Sequence, residues 1–253
     1  MKIIEQTRKK QPLIHHLTNE VVMNFSANGL LSFGGSPIMA KEVEEAEDMA
    51  NIADGLLINI GTILRPEFEA MIVAGKTANR RGIPVVLDPV GVAATSFRKQ
   101  AVQTLLDEIK FSAIKGNAGE MAHLVNIDWK TKGVDSVDGD VKMLERIAIE
   151  VANKYHTVAI VTGEIDVVAF ENEVKVNKSG HHFLPKVTGA GCLLGSIVTA
   201  CLTTDANKLD AAFEAVHFYG KAAEMAVKQN DVNGPGTFLP HFIDALGMSF
   251  DAE

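Results

Sequence analysis

The chain has 253 residues, of which 47% are apolar and 22% charged, a composition typical of a globular protein with a large hydrophobic core. Its net charge of −8 argues against a surface that binds nucleic acid or anionic membranes, because such surfaces need clustered lysine and arginine. The amino-terminal segment MKIIEQTRKKQP lacks the apolar stretch of a signal peptide. The two cysteines, Cys192 and Cys201, would lie about 13 Å apart on one helix, too far for a disulfide, which suits the reducing cytoplasm.

Short β-branched or aliphatic runs alternate with longer amphipathic runs along most of the chain. The first predicted helices and strands are, in chain order, helix Glu20–Ser32, strand Gly35–Ala40, helix Val43–Ala53, strand Gly55–Ile60, helix Pro66–Arg80, strand Ile83–Asp88, helix Phe97–Ile109, strand Ser112–Lys115, helix Ala118–Val125, helix Val141–Tyr155 and strand Thr157–Thr162. The remainder comprises a hairpin over Asp166–Val176 with its turn at residues 171–173, and the helices Gly191–Thr203, Leu209–Gln229 and Thr237–Leu246. Such alternation is typical of parallel strands covered by helices on both faces, so residues 1–253 are predicted to form one α/β/α domain.

Small and polar residues follow four of the predicted strands. They form the segments Asn59-Ile60-Gly61-Thr62, Asp88-Pro89-Val90-Gly91, Lys115-Gly116-Asn117 and Thr162-Gly163. In open α/β sheets, ligands bind beyond the carboxyl ends of the strands. The four segments therefore predict a binding site along one rim of the sheet.

A glycine-rich turn with the sequence TGAG occupies residues 188–191 and runs directly into a predicted helix, with Cys192 at the junction. Its glycines leave the backbone N–H groups uncovered, and the helix start adds the positive end of its dipole, so the turn predicts an anion site. The alternative is a plain glycine-rich helix start. A cysteine nucleophile elbow does not fit, because its flanking glycine positions hold Ala190 and Leu194.

Nine sequence blocks between residues 15 and 237 follow one another in the order found in a known family. They are His15–Asn19, Ser36–Ala40, Asn59–Thr62, Leu87–Gly91, Lys115–Glu120, Lys132–Ser136, Val161–Glu164, Thr188–Cys192 and Asn233–Thr237. Together they resemble the ribokinase-like superfamily and, within it, closely the hydroxyethylthiazole kinases of thiamin biosynthesis and salvage. The resemblance implies a three-layer α/β/α fold with a mainly parallel central sheet.

The same resemblance implies an activity, a cofactor and an assembly. The activity is ATP-dependent phosphorylation of the primary alcohol of 4-methyl-5-(2-hydroxyethyl)thiazole, with Mg2+. The assembly is a cytoplasmic homotrimer whose thiazole site lies at the subunit boundary.

The resemblance assigns Gly189, Ala190 and Gly191 to the transferring phosphoryl group, and Gly189 also to the acceptor substrate. Cys192 occupies a position where most ribokinase-like enzymes carry an aspartate base and where the thiazole kinases commonly have cysteine. A helix N-terminus lowers the pKa of a thiol, so Cys192 is expected to position or deprotonate the acceptor hydroxyl. The alternative for Cys192 is a small buried helix residue.

Asp88 and Glu120 are the acidic residues expected to hold Mg2+, which prefers oxygen ligands and keeps several waters. Each could instead cap a helix. Met39 and Asn19 match the acceptor side in the resemblance. Met39 offers a polarisable apolar surface to a sulfur heterocycle, whereas Asn19 could equally be the N-cap of the helix predicted from Glu20.

The ATP side is assigned to Lys115, Thr162, Asn117 and Gly234. Lys115 stands where the family often has arginine, which keeps the charge but loses the bidentate fork. Gly234 is expected at the adenine edge, although it could be an ordinary turn before a helix capped near Thr237.

Three rival functions remain open at this point. The first is a related kinase whose acceptor is hydroxymethylpyrimidine or pyridoxal, against which Cys192 and the Ser-Pro-Ile-Met block at 36–39 argue. The second is an ATP-dependent dehydratase of hydrated nicotinamide nucleotides, which would be expected to carry aspartate at position 192. The third is a non-catalytic nucleotide sensor.

Overall fold

The computed structural model describes residues 1–129 and 137–250, so the block Lys132–Ser136 lies outside the described residues. The described residues contain one eight-stranded sheet. Its strands are Leu13–Leu17 (β1), Ser36–Ile38 (β2), Gly55–Asn59 (β3), Val85–Asp88 (β4), Ala113–Asn117 (β5), Val158–Thr162 (β6), Asp166–Phe170 (β7) and Glu173–Asn177 (β8). Their spatial order is β2-β1-β3-β4-β5-β6-β7-β8. The pairs from β2 to β6 are parallel, and the predicted hairpin β7–β8 extends the sheet in antiparallel fashion.

Helices cover both faces of this sheet. They are Lys2–Lys10 (α1), Met23–Phe33 (α2), Val43–Ile52 (α3), Arg65–Arg81 (α4), Ser96–Glu108 (α5), Ala118–Leu124 (α6), Val137–Tyr155 (α7), Ala190–Cys201 (α8), Lys208–Ala226 (α9) and Pro235–Leu246 (α10). One core joins the sheet to α1, α2, α8, α9 and α10, and a second joins it to α3 through α7. The predicted three-layer α/β/α architecture is therefore confirmed.

The sequence prediction omits α1 and β1. Strand β1 has the sequence LIHHL, in which two adjacent histidines interrupt the apolar pattern that otherwise marks a buried strand. Both histidines are completely buried, and the Nε2 of each has a hydrogen-bonding partner: His15 Nε2 lies 2.8 Å from the carbonyl oxygen of Ala40, and His16 Nε2 lies 3.0 Å from Ser196 Oγ. The helix predicted from residue 20 begins only at Met23, which leaves residues 18–22 as a loop at the carboxyl end of β1.

Helix α8 packs across the middle of the sheet against β1, β3 and β4. Ten of its residues are buried, so its uncharged sequence is that of a core helix. Among the described helices, none is long and apolar enough to cross a membrane. Both cysteines are free, as their spacing predicts.

Burial gives His16 a measurable effect on stability. The pKa of its imidazole falls from the ordinary value of 6.5 to about 4, since burial disfavours the charged ring. At pH 5 His16 is therefore neutral in the folded chain but protonated in the unfolded chain. Its contribution to the free energy of unfolding is present above pH 6.5 and is lost progressively as the pH falls toward 4. Because the unfolded chain takes up this proton, we expect the free energy of unfolding to fall by about 2 kcal/mol between pH 7 and pH 5 on account of His16.

The measurement is equilibrium urea unfolding of the wild type and His16→Gln at both pH values. The variant should lose less stability than the wild type on acidification. Equal losses in the two proteins would contradict the assignment.

Candidate active site

The parallel register gathers the predicted rim segments at one edge of the sheet. Asn59 at the end of β3 pairs with Asp88 at the end of β4, and Asn117 at the end of β5 pairs with Thr162 at the end of β6. The first turn of α8 lies against the same edge, within hydrogen-bond distance of Lys115 on β5. The structure therefore brings the glycine-rich turn and the strand-end residues together.

Gly189 is the N-cap of α8 and has a positive φ of 90°, a conformation that side-chain-bearing residues rarely adopt. A Cβ atom built on it would lie 2.5 Å from Cγ1 of Val22 and 3.2 Å from Cδ1 of Phe25. Both the backbone angle and the approach of the loop before α2 therefore require glycine here. The close packing holds the turn against the acceptor-side loop that also carries Asn19.

The first turn of α8 leaves two N–H groups for a ligand. The first helical bond runs from the N–H of Leu193 to the carbonyl oxygen of Gly189 at 2.9 Å, and the N–H of Ala190 bonds back into the preceding turn at 3.2 Å. The N–H groups of Gly191 and Cys192 lie between them, in the part of a helix that has no intrahelical acceptors. These N–H groups lie at the positive end of the helix dipole, and both features favour an anion, so the turn has the properties of an anion site.

Two buried side chains hold the carbonyl groups of this turn. Tyr219 Oη on α9 donates to the carbonyl oxygen of Ala190 at 2.6 Å, and Lys115 Nζ donates to that of Gly191 at 3.0 Å. Both side chains are at most 4% exposed. These two hydrogen bonds hold the backbone of the turn in place without any contribution from a ligand.

Lys115 also forms an ion pair with Asp88, with 3.3 Å between Nζ and Oδ2. Burial lowers the pKa of this lysine, but Asp88, Cys192 and Glu120 together outweigh that effect, and the pKa lies above its ordinary value. A positive charge therefore lies against the turn at residues 189–191. Its contact with ATP stays a prediction.

Asp88 is 1% exposed, and burial raises its pKa to about 6, with Glu120 raising it further and Lys115 opposing the rise. Its side chain contacts Lys115 and Asn59 and caps no helix, so the capping alternative is wrong for Asp88. A carboxylate held beside a second carboxylate in a buried place favours a cation between them.

Glu120 does serve a helix start. Its Oε2 accepts the N–H of Asn117 at 2.9 Å, the Asn117 carboxamide accepts the N–H of Glu120, and the pair forms a capping box. Its other oxygen, Oε1, accepts the N–H of Gly91 from the loop after β4 at 2.8 Å. The capping alternative therefore holds for Glu120, while each oxygen keeps a lone pair that a metal could use.

The two carboxylates of Asp88 and Glu120 fit Mg2+ rather than a fully protein-bound metal. Among the described residues, no cluster of three or more histidine, cysteine or acidic side chains could hold a metal ion. Mg2+ commonly binds through one or two carboxylates and completes its shell with water and substrate phosphates.

Cys192 is half-buried, and its Sγ accepts two side-chain hydrogen bonds, from Asn59 Nδ2 at 3.2 Å and from Asn19 Nδ2 at 3.4 Å. Burial and the neighbouring charge of Asp88 raise the pKa of the thiol, and they outweigh the opposing effects of Lys115 and the two carboxamides. The lowered pKa expected from the helix start alone is therefore wrong. Proximity to a buried carboxylate could not be seen from the local sequence.

The acceptor-side residues lie at the ends of β1 and β2. Asn19 does not cap α2, whose N-cap is Val22, so that alternative is wrong; its carboxamide turns instead toward Cys192 and Asn59. Met39 follows the last residue of β2 and is only partly buried outside both hydrophobic cores. A half-exposed methionine at the rim suits the apolar contact expected of it.

The remaining ATP-side residues mark the outer ends of the rim. Thr162 Oγ1 donates to the carbonyl oxygen of Gly116 at 3.2 Å. Gly234 is the N-cap of α10 in extended backbone, with open space around its Cα, and Thr237 Oγ1 accepts the N–H of Asn233 at 2.8 Å. The predicted cap near Thr237 is thus confirmed, while the ATP contacts stay predictions.

The sequence alone assigns no individual role to three residues that organise the site: Asn59, which it places only in a rim segment, and Tyr219 and Arg98, which it does not single out. Arg98 on α5 donates to the carbonyl oxygens of Ile60, Gly61 and Val90 at 2.6–2.8 Å, which ties the loops after β3 and β4 together. Asn59 lies in one of the nine blocks and could have been found there. Tyr219 and Arg98 lie inside ordinary helices, where no local signal distinguishes them.

Comparison with known proteins gives one consistent result. The family described as Hydroxyethylthiazole kinase family matches residues 4–251. A relative from Oceanobacillus iheyensis named Hydroxyethylthiazole kinase 1 is 58% identical over 245 residues, covering 96% of this chain and 94% of its own.

Two solved structures extend the comparison. The hydroxyethylthiazole kinase of Pyrococcus horikoshii is 34% identical, covers 97% of this chain and 91% of its own, and superposes with a TM-score of 0.88. A ribokinase-like superfamily protein from Enterococcus faecalis, 11% identical over 97% of this chain and 93% of its own, shares the fold with a TM-score of 0.66. Because the family match spans nearly the whole chain and the rim carries the geometry described above, the chain belongs to the hydroxyethylthiazole kinase family.

Proposed function

We propose that this chain transfers the terminal phosphoryl group of ATP to the primary alcohol of 4-methyl-5-(2-hydroxyethyl)thiazole in thiamin biosynthesis and salvage. The observation that carries the proposal is the convergence of a free helix start, a buried lysine and two carboxylates beside Cys192. Phosphoryl transfer needs little covalent chemistry from the protein and depends on positioning and on stabilising charge. That is what this arrangement offers.

The phosphoryl group would lie at the turn 189–191. The N–H groups of Gly191 and Cys192, the helix dipole and the charge of Lys115 would stabilise the negative oxygens of the transferring group. Asp88 and Glu120 would hold Mg2+, which when bound neutralises phosphate charge. Lys115, Thr162, Asn117 and Gly234 would form the ATP side of the site.

The acceptor would lie between Met39, Asn19 and Gly189, with its hydroxyl near Cys192. Cys192 would position that hydroxyl or take its proton as the new O–P bond forms. Because the pKa of the thiol is raised, most molecules would carry the neutral thiol at pH 7, so a loose transition state that needs little base assistance suits this site.

The enzyme would work in the cytoplasm as a homotrimer of single-domain subunits over residues 1–253, with each thiazole site at a subunit boundary. Val21, in the loop that carries Asn19, and Leu64, the N-cap of α4, are both more than half exposed and would meet the neighbouring subunit. Two unpaired cysteines suit a reducing compartment. Sedimentation velocity of the purified chain tests the trimer.

The activity is tested by Mg2+-dependent ADP release with hydroxyethylthiazole, hydroxymethylpyrimidine, pyridoxal or no acceptor. Release only with the thiazole alcohol, with its phosphate ester as product, is the expected result. Release with another acceptor would leave the kinase assignment in place and would show that the acceptor is not the thiazole alcohol. ATP binding by a folded protein without release on any acceptor would contradict the proposal in favour of the dehydratase or sensor.

Cys192→Asp should retain or raise turnover. An aspartate at this position would accept the same two carboxamide hydrogen bonds and would be a carboxylate, the base that most ribokinase-like enzymes use. A positioned base is worth about 10²–10⁴-fold at most, and less when the transition state is loose, so a moderate change is expected. Steady-state kinetics checks this, and an inactive variant that folds and binds both substrates would contradict it.

A further inference from the structure

Asn59, at the end of β3, is a buried residue with a completely used carboxamide. It is 1% exposed. Its Nδ2 donates to Asp88 Oδ2 at 2.8 Å and to Cys192 Sγ at 3.2 Å. Its Oδ1 accepts from Asn19 Nδ2 and from the backbone N–H of Gly61, both at 2.9 Å. An amide has two donor hydrogens and two acceptor lone pairs, so this one has no capacity left for a ligand.

The surroundings allow only one orientation of this amide. A flipped carboxamide would turn its oxygen toward the carboxylate oxygen of Asp88 and its NH2 toward the N–H of Gly61. The first contact would place two acceptors against each other and the second would place two donors against each other, at a side chain that is almost completely shielded from solvent. Asn59 is therefore oriented by the backbone N–H of Gly61, which can only donate, and by the Asp88 carboxylate, which only accepts while it is ionised.

Asn59 transmits that orientation to Asn19. The oxygen of Asn59 needs a donor, so Asn19 presents its NH2, and the second hydrogen of that NH2 goes to Cys192 Sγ. The sulfur consequently accepts one hydrogen bond from each carboxamide. Two asparagines from the ends of two neighbouring strands thus hold the thiol in place.

We propose that Asn59 is a positioning residue for phosphoryl transfer, which sets the Cys192 thiol, the Asp88 carboxylate and the Asn19 carboxamide at fixed distances from one another. Each of these three groups comes from a different element, α8, β4 and the loop after β1, and Asn59 is the residue that contacts all of them. Phosphoryl transfer is sensitive to such placement, because a displacement of about 1 Å at the reacting groups can cost about 10²-fold in rate.

A positioning role differs in its kinetics from a role in substrate binding. Asn59 has no free hydrogen-bonding group for ATP, so its loss should change the placement of the reacting groups while ATP still binds. It also differs from a purely structural role, since it acts through Cys192. Its effect should shrink when that side chain is absent.

The test uses Asn59→Asp, which keeps the shape and both acceptor bonds but replaces the donating NH2 by an oxygen. The matched control is Asn79→Ala, which removes a carboxamide that makes two bonds to the backbone of Lys110 before β5, at the opposite edge of the sheet. Wild type and variants are compared by thermal unfolding and by ADP release with hydroxyethylthiazole. Wild-type turnover in the same assay establishes that the acceptor is the right one.

Asn59→Asp should lower kcat about 30-fold or more while the KM for ATP stays within about threefold, and the control should behave as the wild type. In a Cys192→Ala background, followed by single-turnover transfer from labelled ATP, the same substitution should cost at least about threefold less than in the wild type. A kcat close to that of the wild type, a loss confined to KM, or equal losses in the two backgrounds would each overturn the proposal. Should Asn59→Asp fail to fold, Asn59→Ser is judged by the same criteria, and failure of both to fold would overturn the proposal in favour of a structural role.

Discussion

Asp88→Asn should lower kcat by about 10³-fold, since it removes a carboxylate that would help hold Mg2+, and charge stabilisation by a bound metal is worth several kcal/mol. Asparagine keeps the shape of the side chain, and its amide oxygen can take the place of Oδ2, the one oxygen that contacts both Asn59 Nδ2 and Lys115 Nζ, so the substitution chiefly removes the negative charge. The measurement is kcat as a function of Mg2+ concentration. A variant that reaches wild-type kcat at any Mg2+ concentration would contradict the assignment.

A second variant separates chemistry from stability. Asp88→Asn alone leaves the buried ammonium of Lys115 without its ion-pair partner, which costs about 3–5 kcal/mol in comparable pairs. The double variant Asp88→Asn/Lys115→Met removes both buried charges, so its stability against urea should recover toward the wild type. Its activity should stay low, because neither the metal carboxylate nor the cation beneath the α8 turn is restored. Recovery of activity together with stability would show that the pair is structural only.

Gly189→Ala should lower kcat by about 10²–10³-fold, the loss seen when one donor to a developing charge is removed. The added Cβ would collide with Val22, and the alanine would have to adopt a φ of 90°, which side-chain-bearing residues rarely do. The turn would then shift, and with it the N–H groups that follow. Stability should fall by about 1–3 kcal/mol from the strained backbone.

Gly191→Ala is the matched control, two residues further on. A Cβ here would meet only Lys115 Nζ at 3.5 Å, an ordinary contact, and its backbone is helical. This variant should unfold like the wild type, so any loss of kcat reports the approach of a phosphoryl group to the turn. Parallel measurement of kcat and urea unfolding decides the matter, and full activity in both variants would contradict the placement of the phosphoryl group at 189–191.

The sequence by itself predicted the α/β/α architecture, which the structure confirms, and the rim of the sheet where the candidate site lies. Most helices and strands begin and end within a few residues of their predicted bounds, because caps, glycines and apolar periods are local properties of the chain. The parallel order of β3 to β6 follows from the alternation of strands and helices. That order alone gathers Asn59, Asp88, Lys115 and Thr162 on one rim, beside which the TGAG turn predicts an anion site.

Only the tertiary structure decided which rim side chains contact one another and how those contacts change their pKa values. The local sequence predicts an activated thiol at Cys192, whereas the fold buries it beside Asp88 and raises its pKa. The local sequence also allows Asn19 to cap a helix, whereas in the fold the Asn19 carboxamide donates to Asn59. These outcomes depend on contacts between residues that are 29 to 173 positions apart in the chain. Burial and charge at such distances arise from strand pairing and helix packing, which a local pattern does not encode.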